Sequence, residues 1–322
     1  MLLDALAGAE LWAVVKANGY GHGAVQAADG ALGAGASALC VATVAEALQL
    51  RVEFPTTRIV VMGPASNREI GTARDAGLEL VVSDEASMPE GIPLHLKLDT
   101  GMGRFGLSEL PPPPTEVVGL MSHLATADSD PEFADKQIQR FREATAPYSG
   151  YVRHIANSAA TLRIPSARFE AARCGIALYG VSPFGTDPAG DGLEPALLWR
   201  SEIAQVKRLA AGESTGYGRA FVAERPTWIG VVPVGYADGF RRSFTGTKVR
   251  VGGELRPVVG TVSMDSFAVE LDSGVPLGTP VTLLGQGVLA EDHARVAGTI
   301  GYEVVCGVNS SPTRARRTVV DA

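Results

Sequence analysis

Residues 37–62 read SALCVATVAEALQLRVEFPTTRIVVM. Two apolar runs, 37–42 and 58–62, flank an Ala-rich segment that opens with Thr43-x-x-Glu46, the capping-box pattern of a helix start. The runs are continuously apolar, as parallel strands covered on both faces require. Similar runs occupy 11–16, 78–82, 92–98, 117–124, 151–156 and 168–172. Helix signals lie between them: Ser66-x-x-Glu69 repeats the capping pattern, and 131–146 is the longest amphipathic segment. Eight alternations within about 195 residues predict an α/β fold, an N-terminal (β/α)8 TIM barrel, compact beside the ~250 residues typical of that fold. An open doubly wound sheet would give the same alternation, but no GxGxxG follows the first strand.

Past a polar Gly/Pro-rich stretch at 186–196 the pattern changes. Short Val-rich runs at 197–206, 227–234, 248–251, 255–262, 266–271 and 280–284, separated by Gly turns, predict a mainly-β C-terminal domain. One helix is expected at 291–299, followed by a strand-like run at 302–308. The expected division is therefore 1–195 and 196–322.

Composition narrows the function. The 322 residues carry 28 Lys+Arg against 35 Asp+Glu, a net charge of −7, which offers no electrostatic footprint for nucleic acid. Arg314, Arg316 and Arg317 form one small basic cluster, read as a solvated patch. Three scattered cysteines without CxxC favour reduced thiols and a cytoplasmic setting. No apolar run reaches the ~18 residues of a membrane span, and the first residues lack the basic start of a signal peptide.

Polar residues collect where strands end, the place where barrels of this kind do chemistry. The first strand ends in Lys16-Ala17-Asn18-Gly19-Tyr20-Gly21-His22-Gly23 and the fifth in Lys97-Leu98-Asp99-Thr100-Gly101-Met102-Gly103-Arg104. Ser122-His123, Asn157-Ser158 and Arg173-Cys174-Gly175-Ile176 end the sixth, seventh and eighth. A lysine directly after Val-Val can be desolvated, which lowers its pKa and frees a neutral amine for a Schiff base. Ser158 with the amides of Gly175 and Ile176 suits a phosphate.

AVVKANGYGHG, LKLDTGMGRFG, SHLATAD, HIANSAA, RCGIALYG, GYGRAF, GYADG and GTVSMDSF occur collinearly over about 10–308. Together they resemble the alanine racemase family of fold-type III pyridoxal-phosphate enzymes. The resemblance implies pyridoxal 5'-phosphate as cofactor and an isomerase that interconverts L- and D-alanine, a cytoplasmic homodimer supplying D-alanine for cell-wall peptidoglycan. It further implies that Lys16 holds the cofactor and serves as one base, with Tyr217, from the second subunit of a head-to-tail dimer, as the opposite base. Arg173 would face the pyridine nitrogen with His123 behind it; Tyr20, Asn157, Ser158, Gly175 and Ile176 would complete the cofactor site. Arg104 and Met264 would meet the substrate carboxylate, Tyr236 would line the entrance, and Lys97 matches a lysine carbamylated in some members. No metal is expected.

Two departures accompany the match. Family members usually begin with about twenty further residues that include a strand of the β domain, and Lys16 comes too early for that strand. Ser310 stands where a phosphate-binding tyrosine is usual, which predicts weaker cofactor retention. Competing readings are a broad-specificity or serine-preferring racemase, a non-catalytic pyridoxal-phosphate-binding protein, and a two-metal hydrolase built on His95, Lys97, His123 and His154; the last lacks an HxH on the first strand.

Overall fold

The computed structural model describes residues 1–84 and 88–320 and divides into two compact units, Met1–Leu178 and Tyr179–Ala322. The first is a closed barrel of eight parallel strands in sequence order: β1 (Glu10–Val14), β2 (Ala38–Val41), β3 (Arg58–Val61), β4 (Glu79–Val82), β5 (Leu94–Lys97), β6 (Val117–Met121), β7 (Val152–His154) and β8 (Ala171–Cys174). β1 closes the ring by pairing with β8, Trp12 opposite Arg173 and Ala13 opposite Cys174. Strands β2, β5 and β8 are buried at every position; β2 accordingly reads as an unbroken apolar run, whereas β5 and β8 bury His95, Lys97 and Arg173 as well.

The helix starts follow the sequence signals. Thr43 caps the helix Val44–Glu53 in a full capping box with Glu46. At Asn67–Asp75 the Glu69 carboxylate accepts from both the amide and the hydroxyl of Ser66. Pro131–Thr145 is capped by Asp130 and buries Ala134, Ile138 and Phe141, the i, i+4, i+7 spacing of a core face. Two crossovers differ from the ideal alternation: 98–116, which contains Pro111–Pro114, and the described part of 83–93 carry no helix. Proline cannot supply the amide a helix interior needs.

The second unit holds a seven-stranded antiparallel sheet in the order β10 (Gln205–Leu209), β13 (Thr227–Val232), β16 (Phe267–Leu271), β15 (Glu254–Val259), β14 (Lys248–Val251), β17 (Pro280–Leu284) and β9 (Trp199–Glu202). A two-stranded ribbon, β11 (Ser214–Thr215) with β12 (Phe221–Val222), stands beside it. Its core includes Phe240 stacked on Phe267 at 4.2 Å and Phe244 stacked on His293 at 5.1 Å. The 302–308 run is not a strand: Gly301–Cys306 is helical and buries Gly301, Val304 and Val305. That is i, i+3, i+4 spacing, which a run too short to fix its period concealed. Among the described residues no helix is long and apolar enough to cross a membrane.

Candidate active site

Lys16 follows β1 and opens a turn whose backbone is left-handed through four further residues, with φ of 52° at Ala17, 54° at Asn18, 61° at Gly19 and 50° at Tyr20. Glycine and asparagine tolerate this conformation; each other L-residue costs about 1–2 kcal/mol. Neighbours hold the turn in place. The amide of Ala17 donates to Glu46 Oε1 at 2.7 Å, Asn18 Oδ1 accepts from the Ala24 amide at 3.1 Å, and His22 Nδ1 donates to the Tyr20 carbonyl at 2.9 Å. Glu46 thus does more than cap its helix: it anchors the residue next to Lys16. Its capping motif was legible, but this second contact, 29 residues away, was not.

The turn delivers Tyr20 against Gly175. A methyl group at Gly175 would overlap Tyr20 Oη and lie 2.9 Å from Cζ, so a bare backbone is required there. The amides of Gly175 and Ala177 both point at Ser158 Oγ, at 3.0 and 3.3 Å. Asn157 caps the helix Ser158–Arg163 through the Ala160 amide, and Ile176 is fully buried. The Tyr20 phenol and the Ser158 hydroxyl, whose oxygen accepts from both amides while its hydrogen can still donate, form a donor set that fits a phosphate group.

Arg173 lies beside this cradle on β8, 3% exposed. Nη1 donates to His154 Nδ1 at 2.7 Å and to the His154 carbonyl at 2.8 Å; Nη2 donates to the Ser122 carbonyl at 2.8 Å and to His123 Nδ1 at 3.2 Å. These contacts use the two terminal nitrogens, and burial pulls the guanidinium down to about 10. An Arg with this geometry suits the ring nitrogen of a pyridine, to which it can offer an N–H without surrendering a proton.

His123, half-buried, is held well below the usual histidine range, first by desolvation and then by Arg173, Lys97, Arg104 and Lys16. The same cations surround Lys97 at the end of β5. Burial, then Arg173 and Arg104, pull its amine down to about 8. Asp99, close in sequence, accepts from the amides of Gly101, Met102 and Gly103 and so shapes its own loop. His95 and His154 meet inside the barrel, but each spends both ring nitrogens on hydrogen bonds, leaving no lone pair for a metal. Among the described residues no group of three or more His, Cys, Asp or Glu could hold one.

The second unit gathers the other residues singled out from sequence. Tyr217 (72% exposed), Tyr236 and Met264 are all solvent-facing. Their loops are tied together: Thr261 Oγ1 donates to the Tyr217 carbonyl at 2.9 Å, and the amides of Tyr236 and Ala237 donate to the carbonyls of Ser263 and Met264 at 3.0 Å. Arg314, read from sequence as part of a solvated patch, joins Asp238 at 2.8 Å to Asp265 at 2.7 Å and clips the same two loops.

Comparison with known proteins places the chain in a family. The family model described as alanine racemase, N-terminal domain, matches residues 2–183, and that for alanine racemase, C-terminal domain, matches 196–316. An alanine racemase of Ligilactobacillus salivarius is 37% identical, with 95% of this chain and 91% of the relative covered. Alanine racemase 1 of Bacillus subtilis is 38% identical over 94% and 85% of the two chains. Among solved structures, the alanine racemase of Streptomyces coelicolor A3(2) superposes with a TM-score of 0.88 at 38% identity, covering 96% of this chain and 92% of that one. The E. faecalis alanine racemase gives 0.86 at 35%, over 96% and 93%. Both domain models matched in order, and relatives sharing over a third of positions along nearly the full length, establish that the chain belongs to the alanine racemase family.

Proposed function

We propose that this chain racemises alanine with pyridoxal 5'-phosphate, working in the cytoplasm as a homodimer and supplying D-alanine for peptidoglycan. The observation that carries the reading is the joint placement of the Lys16 turn, the Tyr20–Ser158–Gly175 cradle and buried Arg173 at one end of the barrel. When bound, the cofactor supplies an electron-withdrawing ring that makes the Cα proton of alanine acidic. Lys16 would hold it covalently, the cradle would take its phosphate, and Arg173 would meet its ring nitrogen.

Racemisation removes the Cα proton from one face and returns one to the other, so a base on each side suffices. Lys16 Nζ serves one face. Tyr217 Oη serves the other, contributed by a second copy of the chain; its exposure supports that role, since a large aromatic standing in solvent is available to a partner. Arg104 and the amide of Met264 bind the substrate carboxylate, and Tyr236 lines the entrance. Lys97, whose amine is neutral above about pH 8, is suited to take up CO2 as a carbamate that would orient Arg104.

The test is interconversion of L- and D-alanine by the purified protein with added cofactor, followed by polarimetry. Full cofactor occupancy with no turnover of either enantiomer would sink the proposal.

A further inference from the structure

The interior of a TIM barrel is ordinarily filled by branched aliphatic side chains. Here a line of polar groups runs through it. Glu79, the first residue of β4, lies at the rim opposite the Lys16 turn. Its Oε2 is 2.7 Å from His95 Nε2 on β5; His95 Nδ1 is 2.9 Å from His154 Nε2 on β7; His154 Nδ1 is 2.7 Å from Arg173 Nη1 on β8.

The chemistry of the ends makes this line one-way. A guanidinium can only donate, so His154 Nδ1 must accept and the imidazole carries its proton on Nε2. That proton goes to His95 Nδ1, which puts the His95 proton on Nε2 and directs it at the Glu79 carboxylate. Neither ring can carry a second proton without setting a donor against a donor, and burial holds both histidines below their usual range. The barrel is shaped around the line. Trp12 packs on both imidazoles, and a methyl at Gly119 on β6 would overlap His95 Nδ1. Arg58 on β3 fixes the other Glu79 oxygen at 2.9 Å and lies 3.6 Å from Glu10 on β1.

We propose that Glu79 is a positioning residue for the reaction: through His95 and His154 it fixes the tautomer that accepts from Arg173, and so sets the guanidinium's orientation at the cofactor ring. The negative charge answering Arg173 then sits at the far rim, relayed by two neutral rings, and the face toward the cofactor keeps its positive potential. This rests on the reading of Arg173 as the group that meets the cofactor.

The test uses holoenzyme with 15N-labelled histidine, as wild type, Glu79→Gln, His95→Gln and the double variant. In wild type, His95 and His154 show an unprotonated Nδ1; a protonated His154 Nδ1 overturns the proposal before any variant is made. Glu79→Gln is expected to disturb the His154 signature and lower kcat about tenfold or more, with KM changed less than about twofold. In the His95→Gln background, Glu79→Gln adds no further loss, because the line is already cut. An unchanged His154 signature, a kcat within twofold of wild type, or losses that simply add would each overturn it. A wild-type protein inactive on alanine refutes the proposed function instead, and the 15N pattern then decides the relay alone.

Discussion

Glu46 lies half-buried on the helix after β2, and replacing it tests whether the turn beyond Lys16 is held from outside. Its Oε1 accepts from the Ala17 amide at 2.7 Å; its Oε2 accepts from the amides of Ala42 at 2.8 Å and Thr43 at 3.3 Å. A hydrogen bond to a charged acceptor contributes about 1.5–3 kcal/mol, less where water competes. The left-handed conformation of Ala17 stores about 1–2 kcal/mol. The two terms are of similar size, so losing the bond is enough to let the turn relax. Glu46→Gln keeps one acceptor oxygen, which can serve Ala17 or the Ala42 side but not both, and its NH2 then faces an amide. The expected cost is about 2–3 kcal/mol, or roughly 4–12 °C in Tm for a unit of this size. Thermal unfolding of cofactor-free protein reads the stability, and absorbance titration with pyridoxal phosphate reads Lys16, with affinity expected to fall about tenfold. Adding Ala17→Gly, which removes the penalty at φ 52°, should recover part of both losses. A Glu46→Gln protein that melts within 1 °C of wild type (about 0.3 kcal/mol) and binds cofactor equally would show that the turn holds itself.

Three further outcomes are expected. Gly119→Ala drives a methyl into His95 Nδ1 and to 3.0 Å from the Val152 carbonyl; overpacking and a broken buried hydrogen bond each cost about 1–3 kcal/mol, so Tm falls by at least about 4 °C. An unchanged Tm would mean that the ring has room to move. In CO2-free buffer, Lys97→Met stabilises the cofactor-free protein at pH 7, because the folded state must there charge a buried amine. Between about pH 8 and the ordinary lysine value of 10.5 the unfolded chain binds the extra proton, wild-type stability rises with pH, and the margin closes; a margin that widens with pH contradicts the argument. Arg173→Glu places a carboxylate among carbonyls and lowers stability, but it also allows a full proton at the cofactor ring. Transamination per racemisation event, read as pyruvate released, should rise, and a constant ratio counts against the reading.

What the sequence disclosed follows from what kind of signal each feature leaves. The first seven barrel strands were read close to their positions because each lies in a largely apolar run, several of them continuous, and the helix starts because a cap is a local motif. The eighth was placed at 168–172 but spans Ala171–Cys174. A charged residue reads as a strand's end, yet the barrel takes the Arg173 side chain inside. The same convention hid Glu79 and Arg58, which begin their strands yet join the interior line. Gly119, a glycine inside a strand, was the available clue that another group approaches closely. Arg314 and the second role of Glu46 left no local trace, since each depends on contacts between distant segments.

The electrostatics of the barrel end connect these pieces. Lys16, Arg104 and Arg173 act on Lys97, and all four cations act on His123, while Asp99, the carboxylate that acts on Lys97, is turned to its own loop. Burial is the larger cause of the lowered Lys97 and His123 values, and repulsion from the neighbouring cations adds to it. A phosphate and an amino-acid carboxylate bring the missing negative charge, so the ligand this site fits is also the one that relieves its strain. Glu79 lies outside this balance by design of the relay: it satisfies the far side of Arg173 without neutralising the near side. A carboxylate placed directly on the guanidinium would quench the field that orients the ligand, whereas one two imidazoles away fixes its geometry and leaves its charge to act.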